Sequence, residues 1–219
     1  MVVIIPALNE EDTVGSVVQD VKEMLCCEVV VIDDASTDKT AQAARDAGAV
    51  LLPHAVRLGA WGAIRTGFRY ALRNDFDVAV TMDADGQHPI EAADRIAASV
   101  KKKQTDVAIG SCISRGSAAR RFVWPLLRNM AMLDTLDITS GLRAYSRPAI
   151  KTLLSGNNTV LLDYQDIGVL LHLKKRGFNV LEIPVSMASR KNGKSKIFSS
   201  WAAVFCYLYK TGVLCLAKI

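Results

Sequence analysis

Val78-Ala79-Val80-Thr81-Met82-Asp83-Ala84-Asp85-Gly86-Gln87-His88 is an apolar run that ends in two carboxylates one residue apart, followed at once by a glycine. On an extended backbone alternate side chains share a face, so Asp83 and Asp85 are expected to converge at the carboxyl end of a buried strand. Parallel strands of open α/β sheets deliver their functional groups at that end. Two adjacent carboxylates repel unless positive charge sits between them. With oxygen donors and a phosphorylated ligand, the cation that fits is Mg²⁺ or Mn²⁺. The competing reading is a polar turn that only closes the strand, since Asp and Gly are ordinary turn residues.

The chain around this motif supports the α/β reading. Apolar runs at residues 2–5, 29–32, 49–52, 78–82 and 107–109 alternate with helical patterns at about 12–25, 38–47, 60–73 and 90–103. Continuously apolar strands separated by helices predict a mainly parallel central sheet covered on both faces. Ser36-Thr37-Asp38 marks one helix start, with Ser36 or Asp38 as its cap, and Pro89 opens another. Residues 1–112 therefore read as a nucleotide-binding half.

The second half is less regular. Residues 114–121 are polar, basic and loop-like, 125–136 have a helical pattern, and 137–146 return to an extended or turn-rich conformation. A helix is expected over 163–176, stopping at Gly177, and a strand over 179–185. A basic loop follows at 189–196, and residues 197–219 are nearly apolar, interrupted by Lys210.

The 219 residues suffice for one domain with a full core, and 50% apolar with 22% charged residues is globular composition. A net charge of +5 favours anionic partners, but no cluster of basic and aromatic residues points to nucleic acid. Cys26, Cys27, Cys112, Cys206 and Cys215 form no C-x-x-C pair and are odd in number, the pattern of reduced, buried thiols. With no basic head before its first short apolar run, the catalytic part is expected in the cytoplasm.

The first apolar run leads into Pro6-Ala7-Leu8-Asn9-Glu10-Glu11, without the glycines of a dinucleotide fold, and no Walker A sequence occurs. Amide and carboxylate groups at that strand end suit a base or ribose instead. The second run ends in Asp33-Asp34-Ala35-Ser36-Thr37-Asp38. Helix capping uses one side chain, so the Asp33-Asp34 pair is in excess and is assigned to a ligand.

These three motifs resemble the signatures of family 2 glycosyltransferases with the GT-A fold, and within it the dolichyl- or polyprenyl-phosphate sugar transferases. Asp137-Ile138-Thr139-Ser140-Gly141-Leu142-Arg143 is similar to that branch's Asp-x-x-Ser-Gly-Phe-Arg, and Glu182-Ile183-Pro184-Val185 with Arg190 and Gly193-Lys194-Ser195-Lys196 resembles its last strand and basic loop. The resemblance spans residues 2 to about 198. It implies a single GT-A domain over 1–196, with a nucleotide-binding half at 1–112 and an acceptor half at 113–196. Residues 197–219 follow as an amphipathic C-terminal helix. Pro6, Ala7, Asn9, Glu10, Asp33, Asp34 and Asp83 would hold the nucleotide sugar. Asp83, Asp85 and Gln87 would hold the metal, with Asp85 also catalytic. Ser140 and Arg143 would line the reaction centre. Arg190 and Lys196 would neutralise phosphate, as would Arg115, since Cys112 stands where an arginine is common. Asp166 aligns with an acidic catalytic position, although a carboxylate in the first turn of a helix is an ordinary find. The segment 129–137 is shorter than the branch's norm by roughly two helical turns, some 11 Å of helix.

A phosphomonoester acceptor needs no general base, because its second pKa is about 6. The implied reaction is inverting transfer from a GDP-mannose or UDP-hexose type of donor to a polyprenyl phosphate. A saccharide or small-molecule hydroxyl acceptor, and a non-catalytic nucleotide-sugar-binding subunit, are the alternatives. His88 is placed to contact phosphate, His54 and His172 read as structural or exposed, and Trp61 as packing. The aromatic-rich segment 197–208 behind Lys191, Lys194 and Lys196 suits peripheral docking on the cytoplasmic face of a membrane, with a core helix packed on the sheet as the alternative and a spanning helix disfavoured by Lys210.

Overall fold

The computed structural model describes residues 1–112, 140–155 and 167–187. The elements are β1 (Val2–Ala7), α1 (Val14–Leu25), β2 (Glu28–Asp33), α2 (Thr40–Asp46), β3 (Val50–Pro53), α3 (Gly59–Arg73), β4 (Val78–Thr81), α4 (Ile90–Lys101), β5 (Val107–Ser111), β6 (Arg143–Ser146), α5 (Arg147–Ser155), α6 (Ile167–Lys175) and β7 (Val180–Pro184). The expected α/β alternation is present. The helix expected over 163–176 is described from Ile167 onward.

The apolar runs are continuous because each strand serves two cores. Val2 and Ile4 pack with Val30, Ile32, Phe68 and Tyr145 on the face covered by α3, α5 and α6. Val3, Ile5 and Ala7 pack with Val17, Val18, Val31 and Ile96 on the face covered by α1, α2 and α4. Trp61 takes the packing role expected of it, standing edge-on to Phe68 at 6.1 Å, and Phe68 stands edge-on to Tyr145 at 5.0 Å.

The seven described strands run in the order β3-β2-β1-β4-β6-β5-β7. The chain steps from β1 outward to β2 and β3, then crosses to the other side of β1 for β4. Loops after β1 and β4 therefore flank the point where the winding direction reverses, the usual ligand position in open α/β sheets. All pairings are parallel except those of β6, which runs antiparallel between β4 and β5 with Thr81 opposite Arg143. A reversed strand begins where its parallel neighbours end. Ser140 and Arg143 thus arrive at the same edge as the motifs after β1, β2 and β4.

The sequence reading had no helix after β6, yet α5 follows without a linker. Ser146 Oγ accepts the Ala149 N–H at 3.4 Å, and Pro148 lies in the first turn. Not all thiols are buried as expected: Cys112 is, Cys27 is half-buried and Cys26 is exposed at the left-handed C-cap of α1.

Candidate functional site

The loop after β1 is cross-stitched to the loop after β2. Asn9 N–H donates to Ser36 Oγ at 2.9 Å and Glu10 N–H to Thr40 Oγ1 at 2.8 Å. In return Thr37 N–H donates to Asn9 Oδ1 at 2.9 Å and Lys39 N–H to Glu11 Oε2 at 2.8 Å. Ser36 is therefore spent on the neighbouring loop, and Asp38 caps α2 by accepting the Thr40 N–H at 2.9 Å. Pro6 is half-buried, Ala7 buried, Asn9 exposed and Glu10 half-buried along this ridge.

Asp33 and Asp34 have different surroundings. Asp33 is buried and turns the chain by accepting the Ser36 N–H at 3.1 Å. Asp34 has a structural task that the sequence reading did not assign it. Its Oδ1 accepts the Leu58 N–H at 2.7 Å and faces His54 Nδ1 at 2.9 Å, while Oδ2 accepts the Gly59 N–H at 2.8 Å. This one carboxylate caps α3 and pins the loop after β3. Burial works to raise its pKa, but the bonds from His54, Leu58 and Gly59 outweigh it and hold the carboxyl below its usual value. His54 continues through Nε2 to Thr66 Oγ1 at 3.0 Å, so its role is structural as expected.

The aspartates of the opening motif are not carried on extended strand. β4 ends at Thr81, and Asp85 lies in a turn, so their placement comes from the turn rather than from strand alternation. Asp85 is buried, its Oδ1 accepting the Gln87 N–H at 3.1 Å, and Gln87 is buried beside it. The Asp83 side chain is 46% exposed, while His88, at 1%, approaches Asp83 Oδ2 through Nε2 at 3.0 Å. His88 thus faces the Asp83 carboxylate.

The segment entering β6 closes against this turn. Arg143 is fully buried, and its Nε donates to the Ser140 carbonyl at 2.9 Å. Ser140 is buried and its Oγ accepts the Leu142 N–H at 3.3 Å. A β-carbon on Gly141 would lie 2.6 and 2.7 Å from the two Asp83 carboxylate oxygens. The sequence motifs at 83–88 and 140–143 are therefore one contiguous structure.

The family model described as Glycosyl transferase family 2 matches residues 2–154. The chain belongs to this family. Among curated relatives, the undecaprenyl-phosphate mannosyltransferase of Micrococcus luteus is 31% identical over 216 residues, covering 89% of this chain and 86% of that protein. The polyprenol monophosphomannose synthase of Mycolicibacterium smegmatis is 32% identical over 217 residues, covering 90% and 81%. Among solved structures, glucosyl-3-phosphoglycerate synthase of Mycobacterium tuberculosis, in complex with Mn²⁺, UDP and phosphoglyceric acid, superposes with a TM-score of 0.76. It is 20% identical, covering 99% of this chain and 77% of its own, and so speaks for the shared fold.

In this family 2 glycosyltransferase the oxygen-only set of Asp83, Asp85 and the Gln87 amide fits a hard divalent cation. Among the described residues no group of three or more His, Cys, Asp or Glu could hold a metal alone. Arg115, Asp166, Arg190, Lys196 and the expected helix at 197–219 lie outside the described residues. The sequence reading missed Thr81, the one hydroxyl in the run 78–82, which donates to the Gly141 carbonyl at 2.8 Å.

Proposed function

We propose that this glycosyltransferase moves a sugar, with inversion, from a GDP-mannose or UDP-hexose donor to a polyprenyl phosphate. What supports the reading above all is the meeting of four chain segments at one sheet edge: the ends of β1, β2 and β4 and the start of β6. Two relatives, named undecaprenyl-phosphate mannosyltransferase and polyprenol monophosphomannose synthase, point to the same acceptor class.

In this reading Pro6, Ala7, Asn9, Glu10 and Asp33 meet the base and ribose, and Asp34 fixes the loop beside them. Asp83, Asp85 and Gln87 would hold Mg²⁺ or Mn²⁺, which when bound supplies Lewis-acid stabilisation of the leaving diphosphate. Ser140, just before β6, and Arg143, its first residue, shape the reaction centre. Arg115, Arg190 and Lys196 add positive charge where phosphate oxygens collect. Asp166 is an acidic group on the acceptor side. The acceptor phosphate is already ionised near neutral pH and attacks without a protein base.

No described helix is long and apolar enough to cross a membrane. Contact with the bilayer that carries the acceptor is assigned to residues 197–219 as a peripheral segment. The test incubates GDP- and UDP-sugars with Mn²⁺ and a short polyprenyl phosphate and scores lipid-linked product. Product from one donor, lost on chelation and in Asp85→Ala, is the expected result. Donor hydrolysis without lipid product would overturn the acceptor assignment, and binding without turnover would favour a non-catalytic subunit.

A further inference from the structure

The Asp83 carboxylate is approached from two sides by groups outside the proposed ligand set. His88 lies on one side, with Nε2 3.0 Å from Oδ2 and its side chain buried. A carboxylate only accepts, so the proton of this pair sits on Nε2. The other ring nitrogen, Nδ1, is buried with no hydrogen-bond partner. The ring therefore has a single polar engagement, and it is with Asp83.

Gly141 lies on the other side. A β-carbon there would come within 2.6 Å of Oδ1, 2.7 Å of Oδ2 and 2.9 Å of Cγ, so the carboxylate rests against bare backbone. That backbone is held in turn. Thr81 Oγ1 donates to the Gly141 carbonyl at 2.8 Å, with a longer contact to the Arg143 carbonyl at 3.4 Å. Gly110 N–H donates to the Leu142 carbonyl at 2.9 Å.

We propose that His88, Gly141 and Thr81 form a seat that sets the position of the Asp83 carboxylate, and through it the affinity of the donor site for its divalent cation. The inference rests on the metal assignment made above. All three are positioning residues: His88 orients the carboxylate by hydrogen bond, Gly141 leaves room for it, and Thr81 fixes Gly141. Metal–oxygen distances tolerate about ±0.2 Å. A β-carbon at 141 would have to move from 2.6 Å to beyond 3.0 Å, a displacement of about 0.4 Å or more that exceeds this tolerance. Supporting partners of this kind typically change metal affinity 10–100-fold.

The test is calorimetric titration of the full chain with UDP and with GDP at fixed Mn²⁺, beside Mn²⁺ titrations followed by electron paramagnetic resonance. Variants are His88→Leu, His88→Gln, Gly141→Ala and Thr81→Val, each first checked for a cooperative thermal transition. The expected result is Mn²⁺ affinity roughly 10-fold or more weaker in His88→Leu and Gly141→Ala. Thr81→Val should weaken it less, and His88→Gln, which keeps a donor, should restore most of it. Should Gly141→Ala fail to fold, the His88 pair and Thr81→Val carry the comparison. Native metal-dependent binding, with His88→Leu and Thr81→Val within threefold of it, would overturn the seat and leave the proposed function standing. A native protein whose nucleotide binding ignores Mn²⁺ would overturn the metal assignment and the seat together.

Discussion

Replacing Asp34 by Asn tests what the second carboxylate of the β2 motif does. The native group accepts from Leu58 N, Gly59 N and His54 Nδ1 at 2.7, 2.8 and 2.9 Å, with 5% of its side chain exposed. Hydrogen bonds to a charged group contribute about 1.5–3 kcal/mol, against about 0.5–1.5 for neutral pairs. Asn keeps one acceptor but sets an N–H₂ group against a backbone donor. Two bonds lose roughly 1 kcal/mol each, and one buried donor left without an acceptor costs about 1–3 more. A destabilisation of about 3–5 kcal/mol follows. For a chain of 219 residues it lowers Tm by roughly 6–20 °C. The pH dependence has a definite sign. The folded pKa of Asp34 is depressed, because hydrogen bonding from His54 and the two amides overcomes burial. Its contribution is present above the unfolded value of about 3.9 and fades as pH falls through the folded value. Native and variant melting curves, followed by circular dichroism, should differ at pH 7 and begin to converge only as pH falls below about 4 toward the depressed folded value. A variant Tm within about 2 °C of native at pH 7, accompanied by lost nucleotide binding, would refute the capping role and return Asp34 to the ligand.

Two further substitutions probe the frame of the site. Ala35 adopts φ +63°, where an L-residue costs roughly 1–2 kcal/mol. After the unfolded-state entropy that Gly adds, Ala35→Gly should stabilise by about 0.5–1 kcal/mol in urea unfolding, and a destabilised variant would contradict that backbone conformation. Gly67 on α3 lies against β1, where a β-carbon would fall 2.3 Å from Ile4 Cγ2 and 3.1 Å from Ile32 Cδ1. Gly67→Ala should therefore cost about 1–3 kcal/mol by overpacking, despite the better helix propensity of Ala; unchanged stability would show that α3 can move off the sheet.

The alternation of strands and helices was legible because strands such as Val2–Ala7 feed two cores and carry no polar side to blur the pattern. The motifs at Asn9, Asp33 and Asp83 were legible because polar residues begin abruptly where each apolar run ends. β6 was harder to place, as four residues opening with Arg143 carry little periodicity and nothing local says which strands they separate. The start of α5 was readable in Ser146-Arg147-Pro148, a capping serine with proline in the first turn, but it abuts a strand without a loop to announce it. The task of Asp34 depends on partners 20 to 25 residues away, a contact only the folded chain creates. Asp83 and Asp85 were expected to converge through strand alternation, whereas the turn beyond Thr81 places them.

Because β6 lies between β4 and β5, those two strands are not neighbours in the sheet. During synthesis β3, β2, β1 and β4 can pair as soon as residue 81 has emerged, while β5, complete at residue 111, must wait for residues 143–146. At about 5–20 residues per second, those intervening residues take roughly 2–6 s. Through that interval the edge of β4 stands open, the condition under which strand edges recruit wrong partners. The reversed strand that brings Ser140 and Arg143 to the site thus also makes the nascent chain dependent on protection while it waits.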